Sequence, residues 1–506
     1  LKLQNTAYVD SKPHLKRALG LYATTAIVIG SVVGSGIFSS PSQMARDLPS
    51  APLLLGVWLF TGILTLFGAL TQSELVGQMP RTGGLYEYFR EIYGEQIGFL
   101  YGWANFTIAG SGAIAAIAFI FANYLGEFVA LPKLSPALEA TPLHLPMLGD
   151  IFPLADMGVK CVAAGLVIFL TILNVRGVKV GARLQSISTT TKMIAILGVV
   201  AIAFFLGAGV GHTSNWFHAA TNGNNHAGGG LSGNSLSGWG LVGAISLAMS
   251  GAFWAYDGWG NVAYIAGEVK EPSRTIPRAI ILGTFTFISL YMLVNLAYFY
   301  ILPVEAVGSA TGDRVASVVI TQVIGGFGGL LIAGLIMLST FDTTNSSILT
   351  NARVYFAMGQ KRVFYEKAAV IHPKFQTPYV SLLLQGGWAL VLLFSGSFGL
   401  ITDMYVFVNW LLYVLMALGV FILRRRLPQG ERPFKVPGYP WIPAIFVLFA
   451  SAFVIITLVT DVQAYRAGAP LMKSVTGLVL VLSGLPFYYF WKYKQDKALS
   501  ITSLDE

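Results

Sequence analysis

An all-helical protein that crosses a membrane twelve times is the fold class this sequence predicts, and three observations predict it. Of its 506 residues, 55% are hydrophobic and only 11% charged, a mix too apolar for a water-soluble domain. Twelve stretches approach or exceed the roughly 20 apolar residues that a helix needs to span a bilayer. They are 21–45, 53–77, 96–129, 157–175, 183–208, 239–266, 277–302, 327–356, 379–396, 402–423, 441–460 and 472–491. The third observation is a pair of glycine-rich interruptions at mid-depth, one in span 1 and one five spans later in span 6. That placement predicts a 5+5 inverted repeat with broken helices 1 and 6, and spans 11 and 12 appended. The expected organisation is a cytoplasmic tail 1–20, a first repeat 21–208, an extracytoplasmic loop 209–238 and a second repeat 239–423. A cytoplasmic loop with spans 11 and 12 occupies 424–491, and a cytoplasmic tail 492–506 completes the chain given.

Taken in order, the first twenty residues are polar and basic, with Lys12, Lys16 and Arg17 ahead of span 1 and no acceptable cleavage site, so span 1 is expected to remain as an anchor. Within it runs AIVIGSVVGSGIFSSP, Ala26 to Pro41. Gly30 and Gly34 alone would make a small-residue notch for helix packing. Gly34-Ser35-Gly36, however, sets two flexible residues around a serine where helix propensity is poorest. Unwound backbone is costly in hydrocarbon unless it lines a polar cavity, so this break predicts a binding site. The one cysteine, Cys161 in span 4, permits no internal disulfide and is expected to act as a small packing residue. Span 5 carries Lys192 about nine residues from its inner start, on the order of 13 Å deep and beyond easy snorkelling. Charges at such depth are usually functional. The segment 209–238, rich in Gly, Asn and Ser, reads as a loose connector without a core. Span 6, SLAMSGAFWAYDGWGNVAYIAGE, repeats the interruption with Gly251, Gly258 and Gly260 around Phe253-Trp254-Ala255-Tyr256-Asp257.

Charge sets the orientation. With the N-terminus inside, 25 of the 32 Lys and Arg residues fall on the cytoplasmic side, including Lys361-Arg362 and Arg424-Arg425-Arg426. Five fall outside, namely Arg46, Lys133, Arg314, Arg466 and Lys473, while Lys160 and Lys192 lie within helices. The net charge of +9 is therefore a topology signal that suits contact with anionic lipid, and no nucleic-acid partner is needed to explain it. All six histidines lie in loops or tails, which leaves no intramembrane imidazole base for a nucleophile. No metal cluster or cofactor motif is visible, and no phosphate-binding loop points to ATP.

Five stretches carry a resemblance: GSGIFSSP; SELVGQMPRTGGLYEYFREIYGEQIGFLYGW; FWAYDGWGNVAYIAGEVKEPSRTIPRAI; NARVYFAMG; and ERPFKVPGYP. Together they resemble the amino acid–polyamine–organocation superfamily over nearly the whole chain, and most of all its L-amino acid transporter family. The resemblance implies a secondary transporter, not an enzyme, that moves neutral L-amino acids by alternating access across the plasma (inner) membrane. A substrate carboxylate would meet the backbone N–H groups of Ser35, Gly36 and Ile37, at the positive end of the half-helix after the first break. The substrate ammonium would meet carbonyls that the resemblance assigns to Val32, Trp254, Ala255 and Asp257. Trp254 stands where the family places a bulky gating aromatic, with an ordinary membrane tryptophan as the plain alternative. Asn409-Trp410 matches a family pair near the outer vestibule, with simple packing as its alternative.

STTTKM around Lys192 resembles the family members in which a lysine takes the place of a sodium ion between spans 1, 5 and 8. That implies sodium-independent exchange; proton-coupled symport and a non-transporting amino acid sensor are the competing readings. LSTFDTTNSSIL departs from the family's usual glycine at Asp342. Asp342 faces a water-filled vestibule, or it pairs with Lys192 or titrates during the cycle. Asp257 departs likewise from a small residue and is a candidate to reach the substrate ammonium directly. Glu74 and Glu268, near cytoplasmic helix ends, suit solvated or loop-pairing roles. The loop 130–156 has no cysteine, so a disulfide-linked glycoprotein partner of the kind some relatives require is not expected.

Overall fold

The computed structural model describes residues 19–34, 36–81, 83–146, 148–176, 192–219, 238–427 and 432–502. Eleven helices among them are long and apolar enough to cross a membrane, and Tyr379–Ser395 is a shorter apolar helix at the position of predicted span 9. The others run Leu21–Asp47, Ala51–Gln78, Glu95–Leu125, Met157–Arg176, Lys192–Gly209, Gly238–Gly267, Pro272–Ile301, Gly326–Gln360, Phe398–Arg426, Trp441–Arg466 and Lys473–Lys494. Each coincides with a predicted span, which is the outcome when length and apolarity alone decide what a bilayer accepts. Residues 183–191 of predicted span 5 lie outside the described residues.

Packing groups the spans in a way that positions the centre of the molecule. Spans 1, 2, 6 and 7 pack together, as do spans 3, 4, 8 and 9, so each span is grouped with the one five later. Span 10 packs against spans 3, 11 and 12. Span 3 is the most enclosed, with 78% of its apolar window buried; span 11, at 22%, lies on the periphery.

The helices are interrupted where glycine permits it. Span 1 divides into Leu21–Val32 and Gly36–Asp47, with Val33 leaving helical geometry at φ −71°, ψ 87°. The helix of span 6 ends at Tyr256, and Gly258 turns the chain at φ +105°, a conformation open to glycine and strained for other residues. The next segment, Asn261–Glu268, is 3₁₀ rather than α-helix. Gly251 lies in intact helix against Met44, so it is a packing glycine and no part of the break. Span 3 contains a π-helical stretch, Asn105–Ala109, that nothing in the sequence pattern predicts.

Outside the centre, the structure overturns one expectation and adds detail to others. Cys161 is exposed on span 4, so it does not pack. Of the two roles expected for Glu74 the loop-pairing one is seen: it is buried, and its carboxylate takes Arg424 Nε at 2.8 Å, Arg424 Nη2 at 2.6 Å and the Val436 N–H at 2.8 Å, which ties span 2 to the connection between spans 10 and 11. Of the expected loose connector 209–238, the described part 209–219 includes the 3₁₀ turn Thr213–Phe217, whose Trp216 donates to the Leu296 carbonyl at 2.9 Å, while the Gly- and Asn-rich part 220–237 lies outside the described residues. Between spans 3 and 4, strands Leu143–Leu145 and Gly149–Ile151 form a hairpin bonded to the connection of spans 11 and 12, with Asp150 N to Pro470 O at 2.6 Å.

Candidate functional site between the two helix breaks

The two breaks lie against each other, backbone to backbone. A methyl group at Gly36 would fall on the Ala255 Cα, and one at Gly258 would lie 2.7 Å from the Ser31 carbonyl oxygen. Glycine is needed at these positions because two main chains cross without room for a side chain. Since a new helix begins at Gly36, the N–H groups of its first turn, including Ile37, have no carbonyl within that helix to bond. Ser35, the other donor expected here, lies outside the described residues. On the acceptor side, the Val32 carbonyl takes the Tyr291 hydroxyl at 3.1 Å, and the Trp254 carbonyl takes the Asp257 N–H at 3.3 Å. Each carbonyl oxygen retains a second lone pair.

Trp254 is buried edge-on against span 10, with ring centroids 5.0 Å from Tyr405 and 6.0 Å from Phe398. Its Nε1 has no hydrogen-bond partner among the described residues. The Asp257 carboxylate points to the same helix. It accepts hydrogen bonds from the Tyr405 hydroxyl, from Tyr413 at 2.6 Å and from Asn409 Nδ2 at 3.3 Å. Its side chain is therefore engaged by span 10. Asn409 thus donates to Asp257, while the Trp410 ring lies against Phe253, tilted by 33° with centroids 3.6 Å apart.

Asp257, Asn409 and Tyr413 border a polar cavity also lined by Tyr101, Asn105 and Tyr264, among others. The π-helical turn of span 3 contributes Asn105, whose carbonyl accepts the Tyr355 hydroxyl at 3.1 Å. Tyr101 and Tyr264 share a hydroxyl–hydroxyl bond of 2.7 Å.

On the other side of the first break, the Lys192 ammonium lies 3.2 Å from the Gly30 carbonyl, 2.7 Å from Thr343 Oγ1 and 3.0 Å from Asp342 Oδ2. Both side chains of the ion pair are buried, at 1% and 4% exposure, so Asp342 does not face a water-filled vestibule.

The sequence that builds these broken spans and the lysine beside the first break can be compared with known proteins. A sequence model described as amino acid permease matches residues 19–481. The chain belongs to the amino acid permease family, within the amino acid–polyamine–organocation superfamily. This permease is 31% identical to the serine/threonine exchanger SteT of Bacillus subtilis (strain 168), over 95% of the chain and 98% of that protein. It is 28% identical to the human b(0,+)-type amino acid transporter 1, over 96% of the chain and 91% of the relative. It is also 28% identical to the mouse large neutral amino acids transporter small subunit 2, over 96% and 82% respectively.

Within the permease, Gly36, Ile37, Val32, Trp254, Ala255 and Asp257 are brought to the crossing of the breaks, and Lys192 and Asp342 to one side of it. Tyr405 and Tyr413, which reach Asp257, were not among the residues expected from the sequence. A signal for them existed: Tyr405, Asn409 and Tyr413 recur every four residues, and so share one face of span 10.

Proposed function

We propose that this permease is a secondary transporter that exchanges neutral L-amino acids by alternating access, without sodium. The observation that carries the reading is the crossing of two interrupted helices whose backbones touch at Gly36 and Ala255. Substrate carboxylate is held by the N–H groups of Ser35, Gly36 and Ile37, where a helix start favours negative charge. Substrate ammonium is held by the carbonyls of Val32, Trp254, Ala255 and Asp257. Trp254, wedged against Phe398 and Tyr405, gates the outer side. Lys192 supplies the fixed cation beside the first break, which removes the need for a sodium ion there. The names of the relatives, an exchanger and two amino acid transporters, support the substrate class and the mode.

The five-helix units are 21–208 and 239–423, with both tails in the cytoplasm and the protein in the cell membrane, supported by the bias of Lys and Arg. The chain works without a disulfide-linked glycoprotein partner, supported by the lack of cysteine in 130–156. Proteoliposomes test the reading. Uptake of radiolabelled amino acid should be strongly stimulated by internal amino acid and unchanged when sodium is replaced by choline. Uptake into vesicles empty of amino acid, driven by a proton gradient, would establish symport instead; binding without uptake would establish a sensor.

A further inference from the structure

The connection between spans 7 and 8, 302–325, lies at the end of the molecule that the proposed orientation turns outward. It contains two short helices. Val304–Gly308 packs on the second half of span 1, Gly36–Asp47, whereas Val315–Ile324 packs most extensively on span 8. The two therefore side with different groups of spans, one with spans 1, 2, 6 and 7 and the other with spans 3, 4, 8 and 9. Between them Gly312 and Asp313 are both left-handed, at φ +64° and +58°. Glycine takes that conformation freely, but at Asp313 it costs free energy and persists only where the surroundings hold it. Charge holds it here. Asp313 Oδ1 accepts from Arg46 Nη1 of span 1 at 2.7 Å, and the same nitrogen reaches the Gly308 carbonyl at 3.1 Å. The next residue, Arg314, pairs through Nε with Glu127, just past the end of span 3, at 3.0 Å, and its Nη1 donates to the Asn123 carbonyl at 3.2 Å. Two adjacent residues of opposite charge thus grip one span from each group.

We propose that Asp313 and Arg314 form a latch in series, running from Arg46 through the 302–325 connection to Glu127, which holds the outer end of span 1 to that of span 3 and is released when the site opens outward. Both links are made in this structure, and most of the second half of span 1 is buried. Arg46–Asp313 crosses the bend at Gly312 and Asp313, so it is the link that parts when the two short helices separate, while Arg314–Glu127 keeps the second helix with span 3. The four side chains are between 17% and 39% exposed, so water and salt screen both pairs and the latch favours the closed form severalfold without locking it. Links in series fail together. Loss of both pairs therefore opens the molecule no further than loss of one, whereas two independent contacts would add. The latch rests on the alternating-access reading for its role in transport alone.

The test places spin labels at two exposed positions, Ser309→Cys at the end of the first short helix and Val129→Cys beyond span 3, in a Cys161→Ser background, and measures the distance between them. Asp313→Asn removes the charge with little change in size, and asparagine also tolerates the left-handed backbone. Asp313→Asn and Glu127→Gln should each raise the longer-distance population severalfold over the parent, and the double variant should match the single ones. Raising the salt concentration should open the parent in the same way and leave the double variant unchanged. Single variants that keep the parent's distances would overturn the latch, as would a double variant in which the two increases multiply. A salt response as large in the double variant as in the parent, or none in the parent, would overturn it too; the parent measurement stands even where a variant does not fold. Wild-type protein that exchanges no amino acid defeats the exchange reading, and the distances still decide the latch.

Discussion

Two glycines in the central helices look alike in sequence and differ in what surrounds them. Gly36 faces the Ala255 backbone, which cannot yield, whereas Gly251 faces the flexible Met44 side chain. Gly36→Val should therefore weaken amino acid binding by at least about tenfold, ~1.4 kcal/mol, while Gly251→Ala keeps most of it; binding of labelled substrate to purified protein compares the two. Trp254, the proposed gate, has no side-chain hydrogen-bond partner among the described residues. Trp254→Ala should slow or uncouple transport more than it weakens equilibrium binding, read by counterflow rates against binding constants. At Asp257, Tyr413→Phe removes a hydrogen bond to a carboxylate, a loss of about 1–2 kcal/mol of stability that an unfolding titration can register. The residues of the breaks were readable in the sequence because clustered glycines at mid-depth weaken a helix just where the bilayer most requires one. The tyrosines were not singled out because an aromatic on an apolar helix is ordinarily a core residue.

At the scale of elements, apolar length fixed the spans and glycine fixed where two of them stop. The form of each interruption was set by neighbours: Gly260 approaches the Gln72 side chain of span 2, and the second half of span 6 winds as 3₁₀ helix. The π-helical turn in span 3 likewise answers to its surroundings, since it brings Asn105 within 3.4 Å of Asn351 and 3.2 Å of Tyr355 on span 8. The cytoplasmic tie between span 2 and the connection of spans 10 and 11 gives an element-level prediction. Glu74→Gln leaves Arg424 and the Val436 N–H with a weaker acceptor; it should lower stability by about 2 kcal/mol, because Glu74 is buried even though Arg424 is partly exposed. Arg81→Gln, which breaks a 3.5 Å pair whose side chains are both more than half exposed, should leave the unfolding midpoint unchanged.

For the whole molecule, orientation can be checked by labelling. In a Cys161→Ser background, Ser135→Cys should react with a membrane-impermeant maleimide from outside intact cells, and Glu366→Cys only after permeabilisation; the reverse would invert the topology. Composition, the spacing of apolar segments and the placement of basic residues together determined a twelve-span helical protein and its expected orientation. They could do so because a bilayer imposes one-dimensional rules on the chain: length, apolarity and charge at the ends. The glycine clusters in spans 1 and 6 also determined where the two helices break. Which groups meet there was decided only by tertiary structure. Lys192 and Asp342 are 150 residues apart yet 3.0 Å apart in space, and Asp257 is claimed by three side chains of span 10. Such pairings depend on how each helix is rotated about its axis and how deep it lies, and those two quantities are set by packing against neighbours that no single segment of sequence contains.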